Sequence, residues 1–208
     1  MHTIATGSKI YEHLRARWSR RKAAAHELLD KYGGNLPHCV VLKVGIVKIS
    51  MFVEDIIQHT GERFLKEMMA GPASDGIVTI SIPEADMPAA SLAFNLMGFK
   101  QHDVRLKDLL DLMATLHYCN ALDMLDAITA SFDQSQVFMS DIVEIIQSWI
   151  RRMQAKPLSE ISFPDQVQGI VISSLTKKFL HHDIPEKVCI IPGHPDLDFS
   201  LNLTTVFS

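Results

Sequence analysis

Apolar residues recur with helical spacing over residues 9–32, where Leu14, Trp18, Ala25, Leu28 and Leu29 can share one face and Gly33-Gly34 supplies an abrupt stop. The spacing predicts one long leading helix. After Pro37 the pattern changes to CVVLKV, then Gly45, then IVKIS, two β-branched runs too close together for anything but a tight hairpin. Helical spacing returns in VEDIIQHT and GERFLKEMMAG, with Ile56, Ile57, Phe64, Leu65, Met68 and Met69 as the apolar set and Gly71-Pro72 as terminator. GIVTISIP, closed by Pro83, predicts a third short strand. A helix follows from Met87, with Leu92, Leu96 and Phe99 spaced to face a core, and QHDVRLKD reads as a polar connection.

The stretch LLDLMATLHYCNALDMLDAI carries two apolar faces, Leu109, Leu110, Met113 and Leu116, then Leu122, Leu125, Ile128 and Phe132. They are out of phase on a single helix, because His117-Tyr118-Cys119-Asn120 rotates the pattern by more than a turn. A helix, a bend and a second helix fit better. Residues 141–153 predict a further amphipathic helix built on Ile142, Ile145, Ile146, Trp149 and Ile150, capped by Ser140 or Asp141. Pro157 and Pro164 bracket a linker, and 165–180 predicts a last helix with Val167, Ile170, Val171 and Leu175. The tail from His181, with Pro185, Pro192 and Pro195, reads as extended or irregular, with VCII as a candidate edge strand. The fold class expected is α+β, organised as an N-terminal helix (1–36), a central domain (37–153) and a C-terminal helical extension and tail (154–208).

Composition adds little beyond a core. Hydrophobic residues make up 47% of the 208 positions, enough for a buried interior without staples. The formal net charge of −4 argues against nucleic acid as a partner. Arg15, Arg17, Arg20, Arg21 and Lys22 read as a solvated basic face, with a docking patch for an acidic partner or RNA as the alternative. Three widely spaced cysteines, Cys39, Cys119 and Cys189, suit a reducing compartment. No apolar run reaches the roughly 18 residues that a membrane span needs. An intracellular protein, cytoplasmic or nuclear, is expected.

Candidate chemistry is sparse. ATGSK lacks the second glycine and the preceding strand of a phosphate loop. His181-His182-Asp183 with Cys189 and His194 could hold zinc, but without a recognised ligand spacing. His38-Cys39 or His117 with Cys119 could pair a nucleophile with a base, which is the enzymatic alternative. No esterase elbow, metalloprotease helix or dinucleotide fingerprint is present. The expectation is a non-enzymatic protein with no catalytic residue, no metal and no cofactor. Methionines such as Met113 fill cores, and the same soft side chains also serve adaptable binding surfaces.

The order hairpin, two short helices, strand, helix and helical hairpin resembles the BTB/POZ fold, and within it the Skp-type and elongin C adaptors of cullin-based ubiquitin ligases. LKVGIVKIS resembles the opening hairpin, and ERFLKEMMAGP the helix ending in a methionine-leucine pair; Met69-Ala70-Gly71-Pro72 is similar to the elongin C type. TISIPEADMPAASLAFNLM resembles the strand of the form I-x-L-P and its following helix. LLDLMATLHYCNALDMLDAITASF resembles the helix, bend and helix that close the domain. The likeness covers residues 39–149. It implies a BTB/POZ-like core, a small three-stranded sheet with packed helices, and an adaptor or scaffold that bridges a cullin-like and a receptor partner.

The resemblance also implies sites. The adaptors carry an Asn-Tyr or Asn-Phe pair on their cullin-facing surface; here Tyr118 is kept and His117 stands in place of the asparagine. Helices such as 141–153 build the receptor surface, which brings in Trp149. SFPDQVQGIVISSL faintly resembles the opening of an F-box, which implies that the chain covers its own receptor surface. The leading helix resembles the one that packs across the two-fold axis of BTB homodimers, with Trp18 on its face. The expected partner contacts are thus His117, Tyr118, Trp18, Met113 and Trp149. The partner is a cullin-like or F-box-like protein, and the alternative is a homodimeric scaffold unconnected with ubiquitin ligases.

Overall fold

The computed structural model describes residues 3–70, 77–82, 87–100, 102–154 and 165–181. The chain opens with a short strand, β1 (Thr3–Ala5), and two helices, α1 (Gly7–Arg15) and α2 (Trp18–Tyr32). ATGSK is a helix start: the Thr6 hydroxyl accepts a hydrogen bond from the Lys9 amide at 3.4 Å. The single helix expected over 9–32 is broken at Ala16 and Arg17. Next come the strands β2 (Cys39–Val44) and β3 (Val47–Phe52) and the helices α3 (Val53–Thr60) and α4 (Leu65–Met69). Strand β4 (Val78–Ile82), helix α5 (Met87–Met97) and the two-residue strand β5 (Val104–Arg105) follow. The rest is helical: α6 (Leu109–Tyr118), α7 (Leu122–Gln134), α8 (Met139–Gln154) and α9 (Asp165–His181).

Alternation in β2 and β4 sets the sheet. Its order is β3-β2-β4, with β2 antiparallel to β3 and parallel to β4. Leu42 lies opposite Ile49 on one side and Ile80 on the other. Val40, Leu42, Val44, Val78, Ile80 and Ile82 face the interior, while Lys43, Lys48, Ser50, Thr79 and Ser81 face water. A one-residue slip would exchange those two sets, so the register is strongly fixed. The hairpin turns through Gly45 at φ +56°, a conformation open to glycine and awkward for its neighbours.

Helices cover the inner face of this sheet. Helix α5 lies close, with Ala89, Ala90 and Ala93 buried, and α6 is buried over most of its surface, through Leu109, Leu110, Leu112, Met113, Ala114 and Leu116. A helix of that composition belongs in an interior. The fold is therefore α+β, a small three-stranded sheet with packed helices. Among the described residues no helix is long and apolar enough to cross a membrane.

The leading segment is built into this core. Helix α1 buries Ile10 and Leu14 and packs on α7, whereas α2 packs on α3. Two supports in different places explain the break at Ala16 and Arg17. Strand β1 pairs with β5, which lies where a polar connection was expected; strands this short leave no periodicity to detect. Phe99, just past α5, holds φ +58°, a left-handed conformation that costs a bulky residue about 1–2 kcal/mol. Its ring repays that by packing on Trp18, Tyr11 and His59, with centroids 4.8, 5.7 and 5.5 Å away. The Tyr11 hydroxyl donates to the Leu96 and Lys100 carbonyls at 2.8 and 3.0 Å, which ties α1 to the end of α5.

The linker between Pro157 and Pro164, the VCII segment, and His182, Asp183, Cys189 and His194 of the histidine-rich tail lie outside the described residues.

If α1 is part of the core, Leu14→Ala will lower the free energy of urea unfolding by about 2–5 kcal/mol. Glu12→Ala, on the exposed side of the same helix, will change it by less than about 0.5 kcal/mol.

Candidate functional site

The insert that interrupts the two leucine-rich runs is a helix stop. Asn120 takes φ +58°, which Asn tolerates better than most residues, and the backbone closes on itself. The Cys119, Asn120 and Ala121 amides donate to the carbonyls of Thr115, His117 and Leu116 at 2.9, 2.9 and 2.8 Å. The helix, bend and helix expected here are thus present. Leu122, expected on the apolar face of the second helix, points outward at its first turn instead; Met124, Leu125, Ala127, Ile128, Ser131 and Phe132 form the buried face of α7.

At this corner Arg63 lies between two rings, with its guanidinium 4.9 Å from the Phe64 centroid and 4.8 Å from that of Tyr118. Its Nε donates to the Tyr118 carbonyl at 3.2 Å, and Glu67 lies 3.4 Å from Nη1. Tyr118 is half-buried; burial raises the pKa of its phenol, against a smaller opposing pull from Arg63. His117 is also half-buried, and its Nε2 donates to Gln166 Oε1 at 2.8 Å. Helix α9 therefore begins against the corner. The corner presents half-buried Tyr118 and Arg63, residue types enriched among interface anchors, with exposed Leu122 near them in the chain.

The other expected contacts lie elsewhere. Met113 is 2% exposed, inside α6, and is a core residue and not a surface contact. Trp149 is 6% exposed and belongs to the buried side of α8. In both, the aliphatic or aromatic bulk fills space among helices of the same chain. Trp18 is half-buried against Phe99, beside a shallow cleft of about 490 Å³ that Tyr11, Glu12 and Arg15 also line.

Helix α8 holds what the sequence reading missed. It starts at Met139, two residues before the expected start, and Asp141 caps it from within the first turn by accepting from the Phe138 amide at 2.9 Å. Ile142, Ile145 and Trp149 face the interior. Beside them Met139, Val143 and Ile150 lie open, with Ile146 half-buried between and Phe138 exposed just ahead of the helix. At about 100° per residue these two sets form one apolar arc roughly 160° wide. Only half of it is covered: Val143 and Ile150 remain 45% and 47% exposed. The signal was the width of the arc, which exceeds what one contact can bury.

The basic stretch is partly neutralised within the chain. Arg17 Nη1 meets Asp123 and Asp126 of α7 at 2.9 and 3.1 Å, and Arg21 Nε meets Asp123 at 3.1 Å. Arg21 is buried, and its Nη2 lies 2.6 Å from Nδ1 of the buried His59. A guanidinium only donates, so that Nδ1 accepts and the ring is neutral. Burial, then the adjacent Arg21, push the His59 pKa down to about 3. Arg15, Arg20 and Lys22 remain exposed.

Nucleophilic chemistry finds no support at Cys119. Its side chain is buried, and burial pushes the thiol pKa up to about 12, far from thiolate at neutral pH. Among the described residues no group of three or more His, Cys, Asp or Glu side chains is placed to hold a metal. Compared with family models, with curated proteins and with solved structures, the chain finds no match in any of the three.

Two outcomes follow from these environments. An unfolded-state histidine titrates near 6.5, whereas folded His59 resists protonation until about pH 3. The unfolded chain therefore binds the extra proton first, and this contribution to stability is complete above pH 6.5 and declines as pH falls toward 3. The loss of stability measured between pH 7 and pH 5 will be smaller in His59→Gln than in the parent chain. In a maleimide-labelling experiment read by mass spectrometry, Cys119 will stay unmodified in the native chain and react once urea unfolds it.

Proposed function

We propose that the chain is a non-enzymatic protein–protein interaction module, working as an adaptor between two protein partners. The observation that carries this reading is the exposed half of the α8 arc, formed by Met139, Val143 and Ile150. A helix already anchored through Ile142, Ile145 and Trp149 gains nothing in a monomer from a second apolar stripe; association gives that stripe a use. The corner of Tyr118, Arg63 and Leu122 supplies a second, chemically different surface. Two such surfaces on one chain are what bridging requires.

The resemblance to Skp-type and elongin C adaptors names the partners: a cullin-like protein at the Tyr118 corner and an F-box-like helical segment on α8. His117 stands where those adaptors have asparagine, and its ring already donates to Gln166. The recognition at that corner therefore falls on Tyr118 and Arg63. The alternative reading, a homodimeric scaffold unconnected with ubiquitin ligases, uses the same α8 stripe in a self-contact.

Light scattering on mixtures with a cullin N-terminal domain and an F-box helix peptide separates these. The adaptor adds the mass of both partners to its own 23.3 kDa. Tyr118→Ala will lose the cullin domain, and Val143→Asp with Ile150→Asp will lose the peptide, each by at least about tenfold in affinity. A chain at twice its own mass that takes up neither partner supports the scaffold. A chain that stays at 23.3 kDa in every mixture overturns both.

A further inference from the structure

We propose that β3 is a self-pairing edge: two copies of this chain join their β3 strands antiparallel, across a two-fold axis centred on Ile49, into one six-stranded sheet. The inference goes beyond the adaptor reading and is independent of it, since β3 packs on α3 and α5 whereas α8 packs on α6.

Three observations point to this contact. The first is an open ladder. Strand β3 ends the sheet, and among the described residues nothing pairs with its outer side. Along an antiparallel pair, every second residue bonds to the neighbouring strand and those between point away from it. The Val53 amide donates to the His38 carbonyl at 3.1 Å, one step past the Phe52 pairing, so Met51, Ile49 and Val47 bond to β2 by the same parity. The amides and carbonyls of Lys48 and Ser50 are therefore directed outward. The edge is little protected: β3 has no proline, pairs with β2 without a bulge, and carries Lys48 as its one charge.

The second is unfinished burial on both faces of the strand. On the inner face Val47 and Ile49 are half-buried, although Val44 and Leu42, their partners in β2, are sealed. Phe52, on the face that carries Lys48 and Ser50, is 65% exposed, and Ile46 at the hairpin tip is 90% exposed.

The third is self-complementarity, which names a second copy as the occupant. With Ile49 facing Ile49 of the second copy, Lys48 falls opposite Ser50 and Val47 opposite Met51. The two Lys48–Ser50 pairings supply four backbone hydrogen bonds. One step further, Ile46 meets Phe52 of the second copy, so the open side chains at the two ends of the hairpin edge cover each other, twice in the dimer. The neighbouring registers lack this fit. Centred on Lys48, lysine meets lysine; centred on Ser50, Ile46 meets Glu54. An edge this short lies at or below the roughly 1,200 Å² where standard interfaces begin, so the dimer dissociates on dilution.

Sedimentation equilibrium of the full chain tests the pairing, and hydrogen exchange read by mass spectrometry locates it. The expected result is a reversible monomer–dimer equilibrium, with the Lys48 and Ser50 amides exchanging more slowly at high concentration. Ile46→Asp will weaken the dimer at least about tenfold. Ser50→Glu, which sets a carboxylate opposite Lys48 of the second copy, will tighten it at least about twofold, and Ser50→Lys will weaken it by a similar factor. Both positions are exposed, so the far-UV circular dichroism will be unchanged. A monomer at every concentration, or a dimer indifferent to Ile46→Asp and to the sign of the charge at position 50, overturns the inference. Val143→Asp with Ile150→Asp will leave the dimer intact; a dimer lost in that variant is a self-contact of α8, and the β3 pairing falls. A β3 dimer that captures neither the cullin domain nor the F-box peptide supports this inference and leaves the adaptor reading as the one that fails.

Discussion

The packing of α7 constrains everything around it. Helices α1, α3, α6 and α9 and strand β1 all lie against it, and Met124, Leu125, Ile128 and Phe132 are sealed inside that ring. Its phase is set at Asn120, whose left-handed backbone lets the chain leave α6 and start again in a new direction. Asp123 and Asp126 on its outer side take up Arg17 and Arg21, so the leading helices are fixed to α7 by charge as well as by Ile10 and Leu14. The salt links near the surface contribute little by themselves. The buried apolar contacts carry the attachment.

Because α7 is used on so many sides, the surfaces left for association lie at its margins. Tyr118 and Leu122 sit where the chain turns into it, and α8 follows from its far end. Helix α8 packs on α6 with one part of its apolar arc and leaves the adjoining part open. Lys178 closes the far end of α7 by donating to the two carbonyls there.

Much of this was legible in the residues. The β-branched runs in CVVLKV and GIVTISIP are enough to place β2 and β4, and the phase break at His117 to Asn120 is large enough to divide α6 from α7. Strands β1 and β5 escaped because two or three residues carry no period, and their pairing joins positions about a hundred residues apart. The split of α1 from α2 escaped for a related reason: Ile10, Leu14, Arg21 and Ala25 keep helical phase across the break, so only the supporting helices reveal it. Trp149 was expected both in the apolar set of α8 and at a partner surface, and it lies on the covered side while Ile150 of the same set stays exposed, since side-chain type alone does not say which part of a wide arc is covered. Arg63 was invisible, because its importance arises from Phe64 and Tyr118 meeting around it, one before and one long after the intervening sheet strand.

The division of α8 into a core half and an open half is open to a direct check by equilibrium urea unfolding of Ile145→Ala beside Ile150→Ala, the same substitution on neighbouring parts of one helix. The expected loss is about 2–5 kcal/mol for Ile145→Ala and less than about 1 kcal/mol for Ile150→Ala. Equal losses would contradict it, since both residues would then belong to the core and α8 would have no free face to offer.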